Sequence, residues 1–368
     1  MAEDGFFIRK TVWVLNQIEG FGIQKFKTLL ERLKDLRKLY NSQVLEELKR
    51  DPHYGVEFAS SFEALVNSDG FERDEEQCVS KGIQILTYLD LSYPKNLCSI
   101  YDPPLVLYLK GNLILEDQAA LAIVGSRYPT AYGIRSTAAF ATRLAECGIT
   151  VVSGFARGID AEAHCSTLRA KGRTIAVLGC GLDVLYPKEH TSLYEKIAEN
   201  GALLSEFPLG SLPYATHFPK RNRLISGLAF AVLVVEANLR SGSLITARLA
   251  AEEGREVYVV PGPIDSLTSS GTNHLIQEGA KLVVCVEDIL EDLSPQIRAC
   301  LKLDFAEKDK GNDGVDDPLL KLLGRKPLSF DEIALLTKQN PIEIKSRLTE
   351  LELGGVVKRV FGGSYVRS

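Results

Sequence analysis

Short apolar runs alternate with helical patterns through the middle of this sequence, and the alternation restricts the possible folds more than any other feature. The runs at 121–124, 150–152, 174–178, 202–205, 231–235, 257–260 and 281–284 are typical of buried strands. Helical patterns lie between them at 134–147, 159–170, 193–200, 222–229, 244–253 and 273–277. Strands that alternate with helices predict a mostly parallel sheet covered on both faces. The sequence therefore predicts an α/β fold with a doubly wound, Rossmann-like sheet.

Different patterns flank this region and predict a chain of several domains. Residues 1–77 are predicted as a small helical domain, 80–290 as the Rossmann-like domain, 291–314 as a charged flexible linker and 315–368 as a winged helix. The winged helix rests on helical patterns at 318–323, 330–337 and 342–353, with N-cap residues Ser329 and Asn340. A hairpin follows at 356–361 and 364–367.

The helical segment contains a glycine-rich turn between two amphipathic stretches. Residues 11–36 have apolar positions at helical spacing, interrupted at Glu19-Gly20-Phe21-Gly22. This pattern is typical of a helix-hairpin-helix, whose turn presents backbone N–H groups to phosphate. The alternative is a packing turn, which the acidic character of the segment favours.

The overall charge does not by itself exclude a nucleic-acid ligand. The chain has 43 basic and 48 acidic residues, a net charge of −5, but residues 118–285 hold 16 basic and 14 acidic residues. Local fields, not the total charge, steer an anionic ligand. Seven scattered cysteines without a CxxC motif indicate reduced thiols, and no signal peptide or membrane-length apolar run is apparent. We expect a cytoplasmic protein that does not bind membranes.

Small residues follow most of the predicted strands. Gly125-Ser126-Arg127 follows the first, Ser153-Gly154 the second, and Ser241-Gly242 lies between the fifth strand and its helix. Ligands bind at the carboxyl ends of the strands in open parallel sheets, where glycine lets the backbone approach them and helix N-termini favour anions. These loops predict a phosphate-binding edge.

The segment 207–235 contains no acidic residue but combines basic and aromatic ones. Its central part holds Phe218, Lys220, Arg221, Asn222 and Arg223. Cations that follow a phosphate backbone and rings that accept unstacked bases are what a single-strand groove requires. The alternative is a solvated helix start. Residues 118–145 likewise contain no acidic residue, and they hold three arginines, Arg127, Arg135 and Arg143.

Signatures of common enzymes are missing. There is no GxxxxGK[ST], no complete GxGxxG, no GxSxG and no HExxH. Asp160 and His164 share a helix face, but a structural hydrogen bond is favoured over a metal or acid–base pair because no third ligand is suggested nearby. We therefore predict no catalytic residue, no metal and no cofactor.

Six strings of residues resemble motifs of the DNA processing protein A (DprA/Smf) family, in consecutive order from about 90 to 290. They are GSR at 125–127, SGFARGIDAEAH at 153–164, GCGLDVLYPK at 179–188, HFPKRNRLISGL at 217–228, RSGSLITA at 240–247 and HLIQEGA at 274–280. The resemblance implies a protein that binds single-stranded DNA without sequence preference. Such a protein protects incoming strands in natural transformation, loads the RecA recombinase onto them, and forms homodimers through its Rossmann domain.

The resemblance also implies roles for individual residues. Arg127 and Lys188 match basic residues that grip the DNA backbone, and 218–223 match the positively charged rim of the same pocket. Donors to phosphate would come from Gly125, Ser126, Ser153, Gly154, Ser241 and Gly242.

Two other functions fit the same fold. Phosphoribohydrolases of the lysine-decarboxylase-like group carry a PGGxGTxxE stretch, whereas this chain has SGSLITAR at 241–248 without an acid at the equivalent spacing, and Glu236 stands alone before it. A mononucleotide sensor is the third possibility. The winged helix binds either duplex DNA or a partner protein, since its last helix carries Lys345 and Arg347 beside three acids.

Overall fold

A nine-stranded sheet forms the centre of the computed structural model, which describes residues 2–301, 319, 322, 328–337, 340–353, 357–359 and 364–367. The strand order is β1-β2-β6-β5-β4-β3-β7-β8-β9, and β3 to β9 run parallel to one another. The strands are β1 (Ile83–Thr87), β2 (Val106–Gly111), β3 (Ala120–Val124), β4 (Thr150–Ser153), β5 (Thr174–Val177), β6 (Gly201–Ser205), β7 (Ala231–Val234), β8 (Glu256–Val259) and β9 (Lys281–Leu282).

The seven parallel strands are those that the sequence predicts, and they confirm the doubly wound fold. Every residue of β3 to β7 is buried, because helices cover both faces and leave no polar side to the strands. The sequence analysis missed β1 and β2, which pair antiparallel with each other and, through β2, with β6. The sequence between β1 and β2 contains no long helical pattern, so these two strands lack the strand–helix alternation that identifies the other strands.

Helices pack on both faces of the sheet. The helices of the first 301 residues are α1 (Ala2–Gln17), α2 (Ile23–Leu33), α3 (Ser42–Lys49), α4 (Gly55–Val66), α5 (Gly70–Ser80), α6 (Lys95–Cys98), α7 (Ala131–Glu146), α8 (Ile159–Arg169), α9 (Thr191–Asn200), α10 (His217–Leu228), α11 (Ser243–Glu252), α12 (Ser270–Gln277), α13 (Glu287–Leu290) and α14 (Pro295–Cys300). Buried residues of α7, α8 and α9 lie on one face, and those of α6, α10 and α11 lie on the other.

Helix α10 begins at His217, five residues before the predicted start. The sequence analysis placed the helix after Pro219, but a proline is tolerated in the first turn, where backbone N–H groups have no partner within the helix. Because the helix begins earlier, residues 218–223 are all part of α10. Successive side chains of a helix point about 100° apart, so these residues cannot all face one ligand.

The N-terminal helices share a hydrophobic core with the sheet. The indole of Trp13 in α1 and the hydroxyl of Tyr108 in β2 both donate to the Asp74 carboxylate of α5, at 2.8 Å and 2.7 Å. The predicted glycine turn lies between α1 and α2, with Gly20 at φ +69°. The two helices and the glycine turn between them are thus present, while a DNA contact at the turn stays a prediction.

The chain divides into two compact units, residues 1–303 and 304–368. Residues 291–301, predicted as part of a linker, belong to the first unit, where Leu293 and Leu301 are buried around α14. The rest of the predicted linker, 302–314, lies outside the described residues.

The second unit has the helices and hairpin of a winged helix. It contains α15 (Phe330–Thr337), α16 (Pro341–Leu353) and an antiparallel pair, β10 (Val357–Arg359) with β11 (Tyr365–Arg367). The predicted N-cap Ser329 accepts from the Glu332 backbone at 3.3 Å while the Glu332 carboxylate accepts from the Ser329 backbone at 2.8 Å. Of the predicted helix at 318–323, Leu319 and Leu322 are described and are helical. Across the described parts of both units, no helix has the length and apolar character needed to cross a bilayer.

Candidate nucleic-acid interface

A cavity of about 700 Å³ opens at the carboxyl edge of the sheet, between the loops that follow β3 and β7. Strand β3 has β4 as its neighbour on one side and β7 on the other, so the strand order reverses direction at β3. The cavity lies at this topological switch point, where open α/β sheets bind their ligands. Helix α10 forms a third wall. The predicted site residues that line the cavity are Gly125, Ser126, Arg127, Phe218, Arg221, Asn222, Ser241 and Gly242.

Arg127 is the clearest candidate for a phosphate contact. It is exposed, and its guanidinium lies over the Phe218 ring, with the guanidinium carbon 5.4 Å from the ring centre. No carboxylate of the described chain forms an ion pair with it. The ring restrains the guanidinium through a cation–π contact and leaves its donors available. A charged group that is fixed in place but unneutralised suits an anionic ligand.

A narrower pocket adjoins the cavity and shares Arg127 and Phe218 with it. Its other walls include Gly154, Tyr186 and Pro187. Lys188 follows Pro187 directly and is exposed, but it lines neither pocket. Its predicted role therefore depends on a ligand that extends beyond the cavity.

Arg221 is a buried residue of the cavity floor. Its guanidinium donates to the carbonyl oxygens of Gly154 and Val177, and only 3% of the residue is exposed. Burial lowers the pKa of Arg221 to about 10, so the group stays cationic at neutral pH. Burial also raises the pKa of Asp160, an effect that the Arg221 charge opposes. The two groups are buried neighbours under the ligand space.

Lys220 and Arg223 lie elsewhere than the sequence analysis expects. Both face the buried carboxylate of Glu206: an Arg223 nitrogen pairs with Oε2, and the Lys220 Nζ lies 3.7 Å from the same oxygen. Arg223 also donates to the Asp102 carbonyl. The expected cationic rim at 218–223 is therefore reduced, because Glu206 lies just outside the acid-free segment and the helix turns these two side chains away from the cavity.

Neither Ser153 nor Gly154 lines the cavity, although Gly154 lines the narrower pocket. The Ser153 hydroxyl is buried and donates to the Ile123 carbonyl at 2.6 Å. A Cβ on Gly154 would lie 2.4 Å from Arg221 Nη1 and 2.7 Å from Asp160 Oδ2. Glycine at this position thus makes room for these two buried side chains.

The predicted phosphate donors differ in what they can offer. The backbone N–H groups of Ser126 and Ser241 already donate to the carbonyls of Glu236 (2.7 Å) and Asn238 (3.0 Å). The Ser126 hydroxyl accepts from the Tyr128 backbone at 3.1 Å and keeps its own proton to donate. Ser241 therefore contributes its hydroxyl, which lies 2.7 Å from that of Ser243.

Sequence reasoning missed several residues of the cavity. Arg240 and Tyr128 are exposed lining residues, and no ion pair or hydrogen bond occupies the Arg240 side chain among the described residues. Tyr128 directly follows GSR and Arg240 directly precedes SGS, and these positions were the signal in the sequence that could have identified them. Tyr186, quoted only within a motif, lines both pockets.

The residues considered for catalysis are held in structural contacts. Nδ1 of His164 lies 2.6 Å from the Thr174 hydroxyl, and burial lowers the pKa of this imidazole to about 3, so it is neutral. The hydrogen bond of His164 is thus to Thr174 in β5, and no hydrogen bond joins His164 to Asp160 among the described residues. The buried Glu236 carboxylate accepts from the Thr130 backbone at 2.8 Å and the Thr130 hydroxyl at 2.6 Å, and it does not line the cavity.

Comparison with known proteins assigns the family. The model for DNA recombination-mediator protein A matches residues 84–294, and the model for the DprA winged helix domain matches 305–363. The chain belongs to the DprA/Smf family. Protein Smf of Escherichia coli K12 is 44% identical over 280 residues, 75% of each chain. DNA processing protein DprA of Streptococcus pneumoniae is 48% identical over 204 residues, 55% of this chain and 72% of the relative.

Solved structures of the DprA/Smf family have the same architecture. The X-ray structure of DprA from Streptococcus pneumoniae superposes with a TM-score of 0.65 at 36% identity, covering 80% of this chain and 99% of that one. A structure that gives insight into the single-stranded DNA binding mode of DprA from Helicobacter pylori superposes with a TM-score of 0.52 at 34% identity. The match covers 57% of this chain and 98% of that one. The family predicted from the six motifs is thereby confirmed.

Proposed function

We propose that this chain binds single-stranded DNA without sequence preference in the cavity at the carboxyl edge of the sheet. The observation that carries the proposal is Arg127, an exposed and unneutralised cation held over the Phe218 ring at the cavity mouth. The description of the Helicobacter pylori relative as a single-stranded DNA binder supports it.

The cavity offers both kinds of contact that a single strand requires. Arg127 and Arg240 are exposed cations for phosphate, and the rings of Tyr128, Tyr186 and Phe218 lie among the walls for stacking with bases. Stacking on an aromatic side chain contributes roughly 1–3 kcal/mol per base and is tolerant of sequence. This set of contacts explains binding without base selectivity.

The cellular role that we propose follows the family resemblance. The protein would act in the cytosol as a homodimer associated through its Rossmann-like domain, protect incoming strands in natural transformation and load RecA onto them. It would act as a binding protein with no catalytic step, metal or cofactor of its own.

Two alternatives use the same cavity. A phosphoribohydrolase needs a free carboxylate beside the ligand, but Asp160, the one carboxylate among the described lining residues, is buried and accepts from the Ala156 backbone at 3.3 Å. A mononucleotide sensor is the second alternative, because a cavity of about 700 Å³ is within the size range of small-ligand sites. Release of free base would support the first, and competition by mononucleotide at concentrations comparable with a long strand would support the second.

The test is fluorescence anisotropy of a labelled dT20 strand at two salt concentrations, with wild type and Arg127→Glu. We expect about 10–100-fold weaker binding by the variant, because a charge-assisted hydrogen bond contributes about 1.5–3 kcal/mol. The slope of log affinity against log salt should fall by about 0.7 for each phosphate that the variant no longer neutralises. Lys196→Glu, an exposed charge reversal on α9, is the control. A folded Arg127→Glu protein with wild-type affinity would refute the assignment.

A further inference from the structure

We infer that a bound strand continues out of the cavity along the exposed face of α7, where Tyr132 and Arg135 form a second contact surface, here named the α7 track. The inference rests on the proposed single-strand binding and adds a path for the nucleotides beyond the cavity.

The track lies on one exposed stripe of side chains. Tyr128 lines the cavity and is 82% exposed, Tyr132 is exposed on the first turn of α7, and Arg135 is exposed one turn further along. Residues three and four apart on a helix lie on the same face. Tyr132 and Arg135 therefore share one face of α7, and Tyr128, three residues before the helix begins, connects that face to the cavity along the chain.

The aromatic residue of the track is fixed in place. The Tyr132 hydroxyl donates to the Pro261 carbonyl at 2.8 Å, which anchors the ring to the loop after β8 while part of it stays exposed. A ring that is already ordered loses little entropy when a base stacks on it. Tyr132 thus has the properties of a preformed stacking platform.

The cation of the track is unneutralised. No ion pair or hydrogen bond to the Arg135 side chain is present in the described part of the chain, and residues 118–145 contain no acid. The next arginine of the stripe, Arg143, pairs instead with Glu146 and Glu287. The track consequently ends about two turns beyond Arg135.

Two other routes out of the cavity are less favourable for phosphate. On the α10 side, Arg223 pairs with Glu206 and Asp102, and the Lys220 Nζ lies 3.7 Å from the Glu206 carboxylate. On the side of the loop after β4, Arg157 pairs with Glu189. The stripe on α7 is one direction in which a stacking ring and a free cation follow one another; Tyr186 and Lys188 mark a second one.

The experiment compares a short and a long strand, because only a long strand reaches beyond the cavity. Competition anisotropy with dT2 and dT20 is measured for wild type, Arg135→Glu, Tyr132→Ala and Tyr132→Phe. We expect Arg135→Glu and Tyr132→Ala to weaken dT20 binding about 10-fold while changing dT2 binding less than about 2-fold. The dT20 salt slope should fall by about 0.7 for Arg135→Glu.

Two variants control for structural effects. Tyr132→Phe keeps the ring but removes the hydrogen bond to Pro261, so near-wild-type dT20 binding separates stacking from anchoring. Lys196→Glu makes the same charge reversal on α9, on the same side of the sheet, and should leave both strands unaffected.

The outcomes distinguish this inference from the proposed function. Unchanged dT20 binding by folded Arg135→Glu and Tyr132→Ala would overturn the track while leaving the Arg127 result intact. Equal weakening of dT2 and dT20 binding would also overturn it, because the two residues would then act within the cavity. Failure of the wild type to bind either strand would refute the proposed function and the track together.

Discussion

Arg127 and Arg221 line the same cavity, yet their environments give them opposite functions. Arg127 is exposed and unneutralised, whereas Arg221 is buried against two carbonyl oxygens and Asp160. Both arginines lie in motifs of the site, but the sequence does not show which of them is buried, because burial depends on which face of α10 meets the sheet. One arginine is available to a ligand and the other holds the cavity floor.

At this scale we predict that Arg221→Ala lowers the free energy of unfolding by about 2–4 kcal/mol, because it leaves the buried carbonyls of Gly154 and Val177 without their donor. Arg127→Ala should change it by less than about 0.5 kcal/mol, as is usual for an exposed residue, while weakening single-strand binding. Urea denaturation followed by circular dichroism measures both. Equal stabilities of the two variants would contradict the division of roles.

At the scale of elements, the sequence predicted those features that depend on local pattern. The parallel strands appeared because burial on both faces makes them continuously apolar. The start of α10 was placed too late because Pro219 is compatible with a first turn, and the pairing of Lys220 and Arg223 with Glu206 was missed because it joins two separate elements. Contacts between elements are decided by packing, which no spacing in the sequence encodes.

The N-terminus of α11 allows a test of a predicted site residue. Gly242 precedes α11 with φ −63° and ψ −20°, and a Cβ there would meet no atom within 4 Å, so the fold does not require glycine. We predict that Gly242→Ala leaves stability unchanged or raises it by up to about 1 kcal/mol, because it restricts the unfolded chain. Binding of dT20 should weaken several-fold, since the methyl group projects where phosphate would approach the backbone.

Gly5 gives a matched control for this change, because a Cβ there also meets open space and the residue lies in α1, outside the predicted DNA-contacting turn. Gly125 gives no such control: its Cβ would lie 2.7 Å from Ile159 Cγ1 and 2.9 Å from the Glu236 carbonyl. Gly242→Ala with wild-type affinity would show that no ligand approaches α11 closely.

At the scale of the molecule, the first unit contains everything that the proposed binding requires. All lining residues of the cavity lie between Val124 and Thr246, and the core that positions them includes the N-terminal helices through Trp13, Asp74 and Tyr108. The N-terminal helices therefore support the sheet that carries the site. The winged helix has a core of its own, formed by residues such as Ile333, Ile344 and Leu348.

This separation leads to a prediction for the chain truncated after residue 303. We expect it to fold and to bind dT20 within about 3-fold of the full chain, with the same salt slope, because every phosphate contact of the cavity and the α7 track is retained. Helix α16 would add little to single-strand binding, since Lys345 is accompanied by Glu343, Glu350 and Glu352, and Arg347 pairs with Glu350 at 2.7 Å. Arg127→Glu in the truncated chain should weaken binding as it does in the full chain. A truncated protein that folds but shows a smaller salt slope would instead place phosphate contacts on the winged helix.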